Sequence, residues 1–194
     1  MIGRRVAVTG LGMVSPVGHT VAETWESILA GRSGVAEIEA FDVSAYSTRF
    51  SASVRDLDLA PYLAPKDARK MDTFVQYGMA AGIQAFDDSG FVVTEENAPR
   101  VGCAIGSGIG GIGQIEKNTE IVHTSGPRRI SPFFVPGSII NMISGNLSVK
   151  YNMQGPNLAV VTACTTGTHN IGLGARLIAP VSYTHLTLPT TRCV

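Results

Sequence analysis

One cysteine of this chain stands where a thiol could act as a nucleophile. Cys164 follows the apolar run 156–163, which predicts a buried strand, and precedes a segment, 165–179, that predicts a helix. A thiol at a helix N-terminus lies at the positive end of the macrodipole, which lowers its pKa. Unpaired backbone N–H groups there could also hold a developing oxyanion during acyl transfer. The alternative at this point is an inert core cysteine, because cysteines are commonly buried.

The other cysteines and the histidines give this thiol little support. Cys103 lies within a predicted strand, which favours a packing role, and Cys193 lies in an atypical C-terminal segment and is assigned no role. A nucleophilic cysteine usually needs a basic partner. His169 is about one and a half helical turns beyond Cys164, so we expect it to pack as a polar residue. Three cysteines are too few, and odd in number, for a disulfide framework or a zinc site, so no metal is predicted.

A glycine-rich loop follows another predicted strand, 100–105. The sequence GSGIGG at 106–111 fits the G-x-G-x-x-G pattern of dinucleotide sites. Such a site also needs an acidic residue about 20 positions further on, and none stands between Thr124 and Gly145. We therefore predict no nucleotide cofactor. Glycines that let two backbones approach closely, or that line a narrow pocket, are the better interpretation.

Two groups of basic residues could receive an acidic partner. They are Lys66, Arg69 and Lys70 in the first turns of a predicted helix, and Arg128 and Arg129 on a predicted loop. Cations at a helix N-terminus oppose the macrodipole, so local stability does not explain the first group. Residues 1–120 hold 10 basic and 15 acidic side chains, whereas residues 121–194 hold 5 basic and no acidic ones. Deep burial of the second part and an acidic partner both remain open as explanations.

The elements that must position these residues alternate between strands and helices. We predict strands at 5–10, 50–54, 100–105 and 156–163, and helices at 20–31, 65–86, 114–122, 138–149 and 165–179. Thr20 and Glu23 have the spacing of a capping box, and Trp25, Ile28 and Leu29 follow at helical spacing. The alternation predicts an α/β fold with a mostly parallel sheet flanked by helices.

Composition restricts the class of protein. The 194 residues suggest one domain or one large piece of a bigger one, and 44% apolar against 15% charged residues excludes general disorder. No run approaches the ~18 apolar residues that a membrane span needs. The apolar stretch after Arg5 is too short for a signal peptide, so we expect a cytoplasmic protein.

Several segments, in order along residues 3–179, resemble the β-ketoacyl-[acyl-carrier-protein] synthase II family, the elongating condensing enzymes of bacterial fatty-acid synthesis. These segments are TACTTG at 162–167 with HNIG at 169–172, VTGLGMVSPVG at 8–18, RKMD at 69–72, GSGIGG at 106–111 and GPRRISPFFVP at 126–136. The resemblance implies a thiolase-like α/β/α/β/α fold of five layers, built from two related halves. This chain resembles the N-terminal half only.

The resemblance also implies a reaction, its partners and its site. Cys164 would take an acyl chain from acyl carrier protein as a thioester, and decarboxylation of malonyl-carrier protein would supply the attacking carbanion. Ile109 and Phe134 match residues that line the acyl channel, Phe134 reaching in from the partner of a homodimer. The basic residues named above lie where the family receives the carrier protein. Because two catalytic histidines and part of the oxyanion hole belong to the second half, we expect this chain alone to be inactive.

The resemblance ends at Ala179. We therefore predict a ketosynthase half-domain over residues 1–179, followed by a tail over residues 180–194. The tail resembles nothing in the family, which indicates a truncated or misjoined reading frame. Two alternatives remain. A polyketide-type ketosynthase would use the same chemistry on other substrates, although TTG at 165–167 fits the fatty-acid branch better. A non-catalytic fragment would serve only as a binding partner.

Overall fold

The computed structural model describes residues 5–180 and 184–187, which form seven α-helices and five short strands. In chain order they are α1 (Val21–Leu29), β1 (Ala36–Glu37), β2 (Phe50–Ser51), α2 (Pro65–Ala68), α3 (Thr73–Asp88), β3 (Val101–Ala104), α4 (Ile112–Ser125), α5 (Phe134–Ser138), α6 (Met142–Tyr151), β4 (Asn157–Leu158), α7 (Thr166–Ile178) and β5 (His185–Thr187). Three 3-10 turns lie at Ala98–Arg100, Pro127–Arg129 and Ala163–Thr165.

A parallel sheet in the order β4-β3-β5 is the centre of this arrangement. Cys103 is in register with Asn157 of β4, and Val101 with His185 of β5. A separate antiparallel pair joins β1 to β2. The predicted α/β class is therefore confirmed. Since β5 lies in segment 180–194, this part of the predicted tail pairs with the sheet, and the domain boundary at Ala179 stays a prediction.

Helix α6 packs against both β3 and α3, and residues of all three elements form the main core. The predicted apolar face of α3 is confirmed, because Phe74, Val75, Met79 and Ile83 are all buried. Helix α6 can approach closely because α3 carries glycines at the contact: a Cβ on Gly78 would overlap the side chain of Ile143, and one on Gly82 that of Leu147. Close packing of this kind removes apolar surface from water, the main favourable term in folding.

The helix predicted over 65–86 is two helices, and Asp72 separates them. Its side chain accepts a hydrogen bond from the Phe74 N–H as the N-cap of α3, and its own N–H donates to the Gly137 carbonyl, 3.0 Å away. Arg69 consequently lies at the C-terminal cap of α2, and Lys70 pairs with Asp67 at 2.7 Å. For Arg69 and Lys70 the expectation that they oppose a helix dipole is thus wrong, because a cation at a C-terminus is favourable, whereas Lys66 is the second residue of α2.

The predicted strand over 5–10 is absent, and Val8 is 76% exposed. Strand β3 pairs with β4 and β5, so neither of its edges is open to this apolar run, and residues 5–10 do not pair with the outer edges of β4 or β5 either. The chain that follows lies against α3 instead. The N–H of Leu11 donates to Asp88 Oδ2 at 2.8 Å, and the N–H of Met13 donates to Gln84 at 3.2 Å.

Helix α1 has the predicted capping box but the opposite buried face. The Glu23 N–H donates to Thr20 Oγ1 at 3.2 Å, while the Glu23 carboxylate accepts from the N–H of His19. Buried side chains on α1 are those of Thr24 and Ser27. Its apolar residues point outward, with Trp25 60%, Ile28 55% and Leu29 71% exposed.

The boundaries of the remaining elements differ from the predicted ones by a few residues, and one predicted helix is interrupted. Strand β2 begins at the predicted Phe50, and the helix predicted at 114–122 extends over Ile112–Ser125. The region predicted as one helix at 138–149 holds the end of α5 and most of α6, with residues 139–141 between them. Among the residues described, none of the helices is both long and apolar enough to cross a membrane.

We predict that the exposed face of α1 makes this chain bind hydrophobic dyes. Apolar surface left in water costs roughly 25 cal/mol per Å² relative to burial, and Trp25, Ile28 and Leu29 are adjacent at i, i+3 and i+4. Fluorescence of an anilinonaphthalene dye should rise on mixing, and should fall in the double variant Ile28→Lys, Leu29→Lys. The control is Val92→Lys, at an exposed apolar residue in a loop outside α1, and it should leave the signal unchanged. A chain that binds no dye would contradict this prediction.

Candidate active site

Cys164 lies in a tight turn between the sheet and α7. Strand β4 ends at Leu158, so the predicted strand up to Ala163 is wrong in its second half. The chain continues without regular structure to the 3-10 turn Ala163–Thr165, and α7 begins at Thr166. Cys164 is therefore exposed directly in front of a helix N-terminus. Free N–H groups at such an end attract negative charge.

The backbone just before the thiol is strained. Ala163 has φ +51°, in the left-handed region that a residue with a Cβ seldom occupies. Such a conformation costs on the order of 1–3 kcal/mol and persists only where its surroundings hold it. The strain turns the chain sharply, and the next side chain, Cys164, stands out from the surface. Strained residues of this kind cluster at functional sites.

Side chains of α7 hold the segment that leads into this turn. Asn170, only 3% exposed, accepts from the Val160 N–H at 3.1 Å and donates to the carbonyls of Val160 at 2.9 Å and Thr166 at 2.8 Å. Thr166 accepts from the Thr162 N–H at 2.9 Å. These bonds replace the strand ladder that ends at Leu158. Sequence reasoning missed both residues, although two buried polar side chains at i and i+4 on a small-residue helix were the available signal.

Two other residues considered for chemistry, His169 and Cys103, have structural roles. His169 Nδ1 lies 2.7 Å from Thr162 Oγ1, so this histidine supports the segment before the turn, as its spacing suggested. In the described residues no histidine is hydrogen-bonded to the Cys164 thiol. Cys103 is fully buried in β3, and burial raises the pKa of its thiol to about 12. A thiol with that pKa stays protonated near neutral pH and is a poor nucleophile.

The glycine-rich loop packs against the turn, as the structural interpretation of its glycines predicts. A Cβ on Gly106 would meet the Val160 carbonyl oxygen, and one on Gly108 would lie 3.5 Å from the Cα of Ala163. Gly110 has φ +83°, and Gly111 donates to the Ser138 carbonyl at 2.9 Å. The loop thus fills the space between the cysteine turn and the end of α5.

The two predicted acyl-channel residues lie on these neighbouring segments. Ile109 is in the loop and is 69% exposed. Phe134 is half-buried at the first position of α5, and its carbonyl accepts from Ser138 Oγ at 2.7 Å. Because Ser138 contacts Gly111, the segments that carry Ile109 and Phe134 are joined. Apolar side chains exposed near them include Ile112, Ile115, Phe133, Val135 and Ile139.

The predicted basic groups lie on α2 and on the turn Pro127–Arg129. Lys66, Arg69, Arg128 and Arg129 are exposed, whereas Lys70 is half-buried. Beyond its ion pair with Asp67, Lys70 Nζ lies 5.3 Å from the centre of the Phe133 ring. A cleft of about 560 Å³ lies beside this contact, lined by Met71, Phe133 and Met142 among others. Segment 66–70 therefore adjoins the segment that follows the two arginines.

Comparison with known proteins identifies relatives of much greater length. Residues 3–179 match the family model described as the N-terminal domain of β-ketoacyl synthase. The chain is 59% identical over 179 residues to 3-oxoacyl-[acyl-carrier-protein] synthase 2 of Vibrio harveyi, covering 92% of this chain and 43% of that protein. The protein of the same name from Coxiella burnetii is 58% identical over 176 residues, covering 91% of this chain and 42% of its own.

Comparison with a solved structure shows that the chain also shares the fold of a ketosynthase. The ishigamide ketosynthase/chain length factor superposes with a TM-score of 0.82 at 27% identity, covering 93% of this chain and 45% of that one. The chain thus spans less than half the length of the relatives that it matches. From the match over residues 3–179, together with a cysteine turn held at the start of α7, it follows that the chain belongs to the β-ketoacyl synthase family and carries its N-terminal domain.

Proposed function

We propose that Cys164 is the acyl-accepting nucleophile of a 3-oxoacyl-[acyl-carrier-protein] synthase that elongates fatty acids. The observation that carries this proposal is the exposed thiol in a strained turn at the N-terminus of α7. The thiolate attacks the thioester carbonyl of acyl-carrier protein, so that a C–S bond to Cys164 forms and the C–S bond to the carrier breaks. The carrier's sulfur leaves as a thiolate and takes up the proton that Cys164 lost. Backbone N–H groups at the start of α7 are suited to hold the oxyanion that forms on the way.

Condensation is the second step of the proposed reaction. Malonyl-carrier protein loses carbon dioxide, and its carbanion attacks the acyl group on Cys164, which releases the thiolate and forms a β-ketoacyl product. This step needs donors that stabilise an enolate. In the described residues no histidine side chain contacts the thiol, and His169 is engaged by Thr162. We infer that groups outside these residues complete the site.

The acyl chain would run past Ile109 and Phe134. Ile109 lies in the loop that packs against the turn carrying Cys164 of the same chain, whereas Phe134, whose segment joins that loop at Gly111 and Ser138, would enter the site of the dimer partner. Five neighbouring apolar side chains are exposed, which favours a homodimer that covers them and brings in Phe134 from its partner. A cytoplasmic location, expected from the sequence, completes this proposal.

The partner that delivers the acyl group would be acyl carrier protein, docked on Lys66, Arg69, Lys70, Arg128 and Arg129. Four of these five are exposed, and Lys70 lies over the ring of Phe133, four residues beyond Arg129. Curated relatives at 58–59% identity are named as synthases acting on this carrier. The same names favour fatty-acid elongation over a polyketide-type reaction. A purely non-catalytic role would leave the strained turn and exposed thiol without a purpose.

We predict that Cys164→Ala abolishes acyl-enzyme formation. Because the relatives are longer, the test uses a joined synthase, in which residues 1–179 are fused to the remainder of the Vibrio harveyi relative. Intact-protein mass after incubation with acyl-carrier protein should show one acyl group, and none in Cys164→Ala. The control Cys103→Ala should keep the adduct, since that thiol is buried with a pKa of about 12. Acylation of Cys103 with Cys164 free would sink the assignment.

Carrier-protein binding should depend on the exposed basic residues. Replacing Lys66, Arg69, Lys70, Arg128 and Arg129 by glutamate is expected to weaken binding about tenfold or more at low salt, and to flatten its salt dependence. Lys70 should contribute least, because it is half-buried and already paired with Asp67. Arg32→Glu, an exposed arginine paired with Glu26, is the matched control. Affinity that stays unchanged at low salt in the fivefold variant would show that these residues are only solvated surface.

The 194-residue chain by itself should not condense. Without groups that stabilise the enolate, malonyl-carrier protein should release no carbon dioxide above background and give no β-ketoacyl product. The assay follows both products with purified chain, and Cys164→Ala provides the background. Turnover that disappears in Cys164→Ala would contradict this prediction, since these residues would then hold a complete site.

A further inference from the structure

Three segments of the chain meet at Asp72. Oδ1 accepts from the Phe74 N–H at 3.4 Å and caps α3, while Oδ2 accepts from the Gln114 N–H at 2.8 Å, in the first turn of α4. The Asp72 N–H donates to the carbonyl of Gly137 in α5, at 3.0 Å. One residue thus holds the starts of two helices and fixes a third.

Helix α4 depends on this contact because its own sequence supplies no cap. Its N-cap residue is Gly111, which has no side chain to accept a hydrogen bond. Asp72, 42 positions away in the chain, provides the missing acceptor. A carboxylate is favoured there, since it faces the positive ends of both α3 and α4. Its two oxygens allow it to serve both helices at once.

The packing around Asp72 leaves little room for movement. A Cβ on Gly137 would lie 2.5 Å from the Lys70 carbonyl oxygen, and one on Gly113 would lie 3.4 Å from Asp72 Oδ2. Backbones from segment 70–72, α4 and α5 are therefore in close contact. A shift of any one of them would have to be shared by the others.

These segments carry the residues to which the proposed function assigns docking and chain binding. Lys66, Arg69 and Lys70 lie two to six residues before Asp72, Ile109 lies three residues before α4, and Phe134 is the first residue of α5. We propose that Asp72 is a positioning residue that holds the acyl-pocket residues in register with the carrier-docking surface, and thereby a determinant of acyl-chain-length selectivity. This inference rests on the proposed function of Cys164.

Two substitutions separate the contacts of Asp72. Asp72→Ser keeps an acceptor suited to the N-cap of α3, but its single, shorter oxygen cannot also reach α4. Asp72→Asn keeps the length of the side chain and removes its charge and one acceptor oxygen. The control is Asp88→Ser at the other end of α3, where Asp88 accepts from Leu11 and touches neither α4 nor α5.

The first measurement is amide hydrogen exchange of the joined synthase, followed by mass spectrometry on peptides that contain Phe74 and Gln114. In Asp72→Ser, exchange at Gln114 should accelerate about tenfold or more, as expected for loss of a bond to a charged acceptor, while Phe74 stays protected. In Asp72→Asn the exchange rate at Gln114 should lie between those of Asp72→Ser and the unsubstituted protein. In Asp88→Ser it should equal that of the unsubstituted protein. Unchanged exchange at Gln114 in Asp72→Ser would overturn the inference whatever the enzyme's activity.

The second measurement is the rate of acyl transfer to Cys164 from carrier proteins loaded with short and with long chains. Asp72→Ser should change the ratio of the two rates several-fold, with carrier affinity and alkylation of Cys164 by iodoacetamide unchanged. An equal loss at both chain lengths would reveal a merely structural role and overturn the inference alone. An unsubstituted joined synthase that gains no acyl group at Cys164 would overturn the proposed function as well.

Discussion

The arrangement of this chain depends on the need to hydrogen-bond the backbone N–H and C=O groups of β3, a strand whose four residues are all buried. Buried N–H and C=O groups must be paired, so β4 and β5 occupy its two edges. Ser144 of α6 continues the pairing beyond the strand: it accepts from the Ile105 N–H at 2.9 Å and donates towards the carbonyls of Ile105 and Leu158. This fixes where β4 lies and hence where the chain leaves the sheet towards Cys164.

Beyond the end of β4, side chains rather than a neighbouring strand pair with the backbone N–H and C=O groups. Asn170 pairs both polar groups of Val160, and Thr166 pairs the N–H of Thr162, so this segment stays ordered without a neighbouring strand. Its ordered path can then hold Ala163 in a left-handed conformation that would otherwise relax. An exposed thiol is therefore presented by a firmly held backbone, which is what a nucleophile that must meet a large carrier-bound substrate requires.

Structure could be predicted from the sequence where it depends on residues a few positions apart, and could not where it depends on contacts between distant parts of the chain. The buried face of α3, the capping box at Thr20 and the junction before α7 follow from spacing within a few residues. The first strand failed because an apolar run indicates burial but not which sheet edge is free. At Asp72 a local signal was present, since aspartate is a favoured N-cap residue and its side chain accepts from the Phe74 N–H two positions on. Its bonds to Gln114 and Gly137, 42 and 65 positions away, could not be predicted from spacing. Likewise, the exposed face of α1 could not be predicted from periodicity, which gives a stripe but not its direction.

The exposure of the basic residues after residue 120 bears on why this part of the chain has no carboxylates. Deep burial would explain it only if the basic residues there were also buried, yet Arg128, Arg129, Lys150 and Arg176 are all exposed. At exposed positions a carboxylate costs little, so burial does not account for its absence. Exposed cations attract an oppositely charged partner and speed its encounter, although α4, which packs against the turn Pro127–Arg129, also carries the exposed Glu116 and Glu120. The exposed cations after residue 120 therefore favour an acidic partner, which agrees with the docking of acyl carrier protein proposed for Arg128 and Arg129.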